Sequence, residues 1–265
     1  MAEVEDDLQE AKMPLLDHLI ELRNRLLYSV VALVAAFLAC YYFSADIYAF
    51  LARPLAHLLE GQGRRMIFTN LTEPFFTYIK VAFWAGCFIS FPIIASQIWM
   101  FVAPGLYKHE RKAFLPFLVA TPILFFIGGA LVYYFVFPLA WSFFLSFETP
   151  ATGDPSALPI QLEARVAEYL SLVMALIFAF GVAFELPVLL TLLIRVGILS
   201  TEALVAKRRY AIVLVFVAAA ILTPPDVISQ VSLAIPMLAL YEVSILIGRR
   251  IEKKRAQEEA AESSS

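Results

Sequence analysis

The chain has 265 residues, of which 61% are hydrophobic and 16% charged, with a mean hydropathy of +0.79. A soluble domain carries about 25% charged residues, so this composition excludes a globule that keeps its whole surface in water. The formal net charge is only −3, and no basic face with interleaved aromatics is present, which excludes a nucleic-acid footprint.

The N-terminus, MAEVEDDLQEAKM, is acidic where a cleavable signal needs a positive start, so the first apolar helix is expected to serve as its own insertion signal. Ahead of that helix, Leu15, Leu19, Leu22 and Leu26 form an apolar stripe at helical spacing. Asp17 and Glu21 lie four apart on another face of this amphipathic cytoplasmic segment, and Glu21 is placed to pair with Arg25.

A bilayer core of ~30 Å needs about 20 helical residues. Apolar runs near that length predict six spans, at residues 26–43, 81–102, 113–147, 169–194, 211–222 and 231–248. The third is longer than a bilayer needs and should tilt or protrude. The fifth is short enough to be re-entrant and ends at Thr-Pro-Pro. Cys40 and Cys87 fall inside apolar runs and read as reduced core fillers.

Between the spans, Ile47, Leu51, Pro54, Leu55 and Leu58 share one helical face, which predicts an interfacial helix on the outer membrane surface. ATGDPSALP (151–159) is a loop rich in turn formers, and the tail from 251 to 265 is polar and expected to be disordered. Pro92, Pro116, Pro122, Pro138, Pro187 and Pro236 can kink helices and prevent tight parallel packing. There is no convincing internal repeat of the kind many secondary transporters carry.

Orientation follows from basic residues. The N-terminal segment, the second–third and fourth–fifth connections and the C-terminal tail hold 15 of the 20 Lys and Arg. That bias places both termini in the cytoplasm. The fold class is therefore an all-α membrane protein, a single domain over 1–250 with six transmembrane helices in a concave bundle.

Catalytic motifs are lacking. His18, His57 and His109 lie outside the spans, and neither a metal-ligand spacing, a nucleophile elbow nor a Gly-rich phosphate loop occurs. No cofactor or metal is expected, and the chain does not read as an enzyme. The carboxylates carry more. Glu185 and Glu242 lie within apolar runs, where an ionisable group is costly; they could serve a proton-coupled small-solute transporter. Glu110 sits among Lys108, His109, Arg111 and Lys112.

Four motifs, HLIELRNRLL (18–27), FVAPGLYKHERK (101–112), FGVAFELP (180–187) and LTPPDVISQ (222–230), together resemble those of the TatC family, the multi-spanning core of the twin-arginine protein translocase. The likeness runs through nearly the whole chain in order. Motif by motif, Glu21, Arg23, Pro54, Phe101, Pro104, Glu110, Tyr133, Glu185 and Asp226 fall on positions that family uses.

The resemblance implies a receptor for signal peptides bearing paired arginines, bound by Glu21, Arg23, Phe101 and Glu110. It implies polar partner contacts within the membrane at Glu185, Thr223 and Gln230, and periplasmic roles for Pro54, Tyr133 and Asp226. The implied partners are single-span subunits of the TatA and TatB type, the signal peptides of folded cargo, lipid, and further copies of the chain. The implied location is the bacterial inner membrane, with the proton-motive force as energy source.

Overall fold

A computed structural model describes residues 2–61, 63–106, 111–149, 158, 160–223 and 226–262. Among these residues the fold is helical, with one isolated bridge between Ile67 and Arg165. The helices are α1 (Ala2–Tyr42), α2 (Ser44–Leu58), α3 (Glu73–Leu106), α4 (Arg111–Leu131), α5 (Phe137–Leu145), α6 (Val166–Ala183), α7 (Leu186–Arg195), α8 (Thr201–Ala206), α9 (Arg208–Leu222) and α10 (Val227–Glu262). A π-helical turn, Val132–Val136, joins α4 to α5.

Five segments among the described residues are long and apolar enough to cross a membrane: His18–Tyr42, Glu73–Phe101, Pro116–Leu145, Val166–Arg195 and Val227–Gln257. They coincide with five of the six expected runs. The remaining run is α9, whose 15 residues extend ~22 Å, short of a ~30 Å hydrocarbon core.

Of the prolines expected to kink helices, Pro92, Pro116, Pro122 and Pro236 lie inside uninterrupted helices, and Pro138 and Pro187 stand where a long segment changes. Pro138 has no N–H to give the Tyr134 carbonyl four residues back, and the chain widens there into the π turn, where the Phe137 N–H donates to the Val132 carbonyl. Pro187 likewise cannot serve the Ala183 carbonyl, and the expected fourth span divides into α6 and α7 at Phe184 and Glu185.

The main core lies where α2, α5, α6 and the π turn meet, around Leu51, Leu55, Val132, Phe137, Trp141, Leu170, Val173 and Phe180. Lipid tails are as apolar as leucine, so close fit rather than water release holds such helices together. Gly128 of α4 shows that fit: a Cβ built there would stand 2.5 Å from the Phe180 carbonyl oxygen of α6.

The expected α2 stripe is real, but it faces protein instead of the membrane surface. Leu51, Pro54 and Leu55 are buried, and Ile47 and Leu58 pack against the same core. The reason is that two tyrosine hydroxyls bind α2 inward, as described below.

Loops at this end are cross-tied. Arg64 pairs with Glu148, which holds that carboxyl below the usual range; the Leu162 N–H also donates to it at 2.8 Å. The Glu73 carboxylate accepts from the Thr69, Asn70 and Ala167 N–H groups and from Arg165, joining the start of α3 to the start of α6.

At the other end, the tail expected to be disordered continues α10 to Glu262. Glu252 explains part of this, because it accepts from the Thr201 N–H at 2.8 Å and from the Thr201 hydroxyl, capping α8.

Candidate functional site

The expected recognition residues Glu21 and Phe101 come together where α1 packs along α3. The His18 ring stacks on Phe101 with centroids 4.3 Å apart. Arg25 donates to Glu21 Oε1 at 3.3 Å, and its second arm reaches Gln97 Oε1 at 3.3 Å and Met100 Sδ at 3.6 Å. Both members of the Glu21–Arg25 pair are about one-third exposed. The described residues place no donor on the other Glu21 oxygen. Arg23 is exposed and bonds its neighbour Asn24. Glu110 lies outside the described residues, as do the side-chain contacts of Pro104. This end of the α1–α3 pair thus offers a half-open carboxylate beside an aromatic ring, already holding one guanidinium.

Glu185 stands in the α6–α7 break created by Pro187. Val182 and Leu189, three residues before it and four after, are both exposed, while Glu185 itself is half-buried at the edge of that stripe. On its inner side the carboxyl lies near the Thr121 hydroxyl of α4. Thr121 in turn accepts from the Trp99 Nε1–H of α3 at 3.0 Å. A hydroxyl that accepts from Trp99 keeps its own proton to donate toward Glu185. Glu185 Oε1 is buried and has no donor.

Thr223 and Gln230 are engaged within the chain. The Thr223 hydroxyl is buried and donates to the Ala219 carbonyl at 2.9 Å, while the Gln230 amide donates to the Phe216 carbonyl at 3.2 Å, tying α10 to α9. Asp226 caps α10, accepting from the Ser229 N–H at 2.7 Å. Glu242 pairs with Arg208 at 2.6 Å, which removes it as a free relay acid.

Pro54 and Tyr133, far apart in sequence, prove to be one device. Pro54 cannot donate to the Phe50 carbonyl four residues back, and the Tyr133 hydroxyl donates to that carbonyl instead, at 2.7 Å. The Tyr133 and Phe50 rings stack at 4.4 Å. One residue along, the Tyr169 hydroxyl donates to the Leu51 carbonyl at 2.9 Å.

Trp99, Thr121 and Glu73 were not visible as site residues in the sequence. Thr121 is a lone hydroxyl in an apolar stretch, and no periodicity links it to Trp99 on another helix. Among the described residues no cluster of His, Cys, Asp and Glu could hold a metal ion.

Comparison with known proteins is consistent along the chain. A model of the family described as Sec-independent protein translocase protein (TatC) matches residues 17–236. The chain is 58% identical over 253 residues to the Sec-independent protein translocase protein TatC of Magnetococcus marinus, covering 96% of this chain and 90% of that protein. Identity to its Escherichia coli strain K12 counterpart is 46% over 251 residues, 94% of each. A crystal structure described as the twin-arginine translocase receptor TatC in DDM superposes with a TM-score of 0.74 at 38% identity, covering 87% of this chain and 99% of that one.

Proposed function

The chain belongs to the TatC family of Sec-independent protein translocase proteins, and from that premise we propose which of its surfaces do the work. It is the twin-arginine signal-peptide receptor and core subunit of a translocase that moves folded proteins across a membrane. In the proposed arrangement the chain crosses the bacterial inner membrane six times with both ends in the cytoplasm. The 15 of 20 basic residues on the segments facing that side support this orientation.

The signal site is assigned to Glu21, Phe101 and Glu110, with Arg23 beside them. The observation that carries it is the guanidinium of Arg25 already seated on Glu21. A carboxylate can accept from two forks, and a guanidinium presents planar paired donors that an ammonium does not reproduce. An incoming arginine can therefore take the oxygen of Glu21 that the described residues leave open, or displace Arg25. The internal pair is partly exposed, and a solvent-screened pair of this kind is worth about 0.2–1 kcal/mol, too little to block such exchange. The Phe101 ring and the apolar α1 and α3 surfaces then receive the hydrophobic part of the signal.

Glu185 is assigned to partner assembly. Its place in the α6–α7 break, beside the exposed Val182 and Leu189, suits a polar group on the transmembrane helix of a TatA-type or TatB-type subunit. The chain has no ATPase motif, and the proton-motive force is the proposed energy source. The solute-transporter reading loses its second acid to Arg208, and the whole-length match is to translocase proteins.

The test is binding of a twin-arginine peptide to Glu21→Gln and Glu110→Gln. Losing a charged hydrogen-bond partner costs ~1.5–3 kcal/mol, or one to two decades in affinity. The loss should be much smaller for a Lys-Lys peptide. Unchanged binding of both peptides by folded variants would remove this site assignment.

A further inference from the structure

An apolar groove of about 340 Å³ opens between α2, α3, α6 and the α4–π junction, lined by Phe50, Trp84, Phe88, Ala130, Ile177 and Phe178 among others. Its rim reaches the outside of the bundle at Ile89 and Tyr134, which are 58% and 64% exposed. Small residues shape it: Gly129 lies so close to Phe88 that a Cβ there would stand 2.7 Å from the ring. Glu21, Phe101 and Glu185 do not line it, so neither the signal site nor the partner site accounts for it.

We propose that this groove binds one acyl chain of a phospholipid whose phosphodiester sits on Arg53. Water gains nothing there, because the lining offers it almost no polar partners. A flexible hydrocarbon chain can follow an open apolar groove of this kind, and it recovers the dispersion contacts that an empty groove forfeits.

The charge sits where such a chain would need it. Arg53 follows Phe50 by one helical turn on α2 and therefore stands above the groove on the same face. It is close enough to Tyr133, another lining residue, to act on it electrostatically. Arg53 is exposed, and no carboxylate pairs with it among the described residues. A phosphodiester is the anion that a lipid supplies at that level, and a guanidinium binds it in bidentate fashion.

The experiment uses the full chain in detergent, stripped of lipid and then given dioleoylphosphatidylglycerol, with bound lipid counted by native mass spectrometry. The parent should retain one lipid. Arg53→Gln and the groove-filling Ala130→Phe should each lower the retained fraction by roughly tenfold. Arg65→Gln, which removes an exposed charge away from the groove, should not.

Should Ala130→Phe fail to fold, Ala85→Leu fills the same groove from α3. Retention that survives both Arg53→Gln and groove filling overturns the proposal, as does equal loss in Arg65→Gln. A photoreactive side chain at Ala130 that captures a twin-arginine signal peptide, and not the lipid, makes the peptide the occupant and also overturns it.

Discussion

A carbonyl left without its helical donor is a liability inside a membrane, where no water can replace it. Pro54 creates one at Phe50, and the Tyr133 hydroxyl answers it at 2.7 Å. This pairing makes a prediction. Tyr133→Phe keeps the stack on Phe50 but leaves the carbonyl unserved, at an expected cost of about 1–3 kcal/mol. In a Pro54→Ala background the backbone N–H restored at that position can serve the carbonyl, so the same change should cost much less. Thermal unfolding in detergent measures both, and equal costs in the two backgrounds would break the pairing argument.

Glu185 is governed by the same logic. Thr121→Val keeps the shape and removes the hydroxyl that lies near the carboxyl, so it should weaken partner crosslinking from the Glu185 region while Thr121→Ser preserves it. Glu185→Ala should reduce transport and partner crosslinking, Glu185→Gln should keep much of both, and signal-peptide capture should survive in each. A Gln variant as inactive as Ala would point to proton coupling, and loss of signal capture would place Glu185 in the wrong site. At this scale the sequence shows residue types but not their cross-helix partners. Glu21, Phe101 and Glu185 are singled out by the sequence because an acid or aromatic in a motif stands out. Arg25–Gln97 and Trp99–Thr121 were not, because their contacts depend on the packing register of separate helices.

At the scale of elements, apolar run length read well, since it reflects the one requirement a bilayer imposes on every span. The long helices fall where the runs do. What run length does not reveal is internal breaks: residues 169–194 read as one apolar stretch, yet Pro187 divides it into α6 and α7 and so sets Glu185 in a gap. The α2 stripe shows a second limit. Its spacing gave the correct face, but the same pattern suits a membrane surface or a protein core, and only Tyr133 and Tyr169 from distant segments decide for the core. The tail shows a third. EKKRAQEEAAE has good helix formers and no apolar face, so its composition looked unstructured until Glu252 proved to cap α8.

At the scale of the whole molecule, the topology turns on how the α9–α10 pair sits in the membrane. Arg208 begins α9 and pairs with Glu242 of α10 at 2.6 Å, with both side chains nearly half exposed. Glu242 is 15 residues along α10 from Val227, so the two helices run side by side for ~22 Å between that ion pair and the turn at residues 223–226. An exposed ion pair marks a water boundary better than a lipid interior. Tilting cannot lengthen a helix that is already short, so a full crossing requires the bilayer to thin by roughly 8 Å beside this pair.

The prediction is that α9 crosses fully. In a Cys40→Ala, Cys87→Ala background, a cysteine at Val227, which is 71% exposed in the first turn of α10, should react with an impermeant reagent from the outer face. It should react about as readily as one at Asn70, and a cysteine at Ala256 should react only from inside. Using Val227 leaves the Asp226 cap intact, so any protection reports position and not unfolding. Protection at Val227 with labelling at Asn70 would make the α9–α10 turn re-entrant, leaving the C-terminal side unchanged because α9 begins and α10 ends at the same basic edge. Outside labelling at Ala256 would invert the whole orientation, and with it the placement of Glu21 at the cytoplasmic entrance.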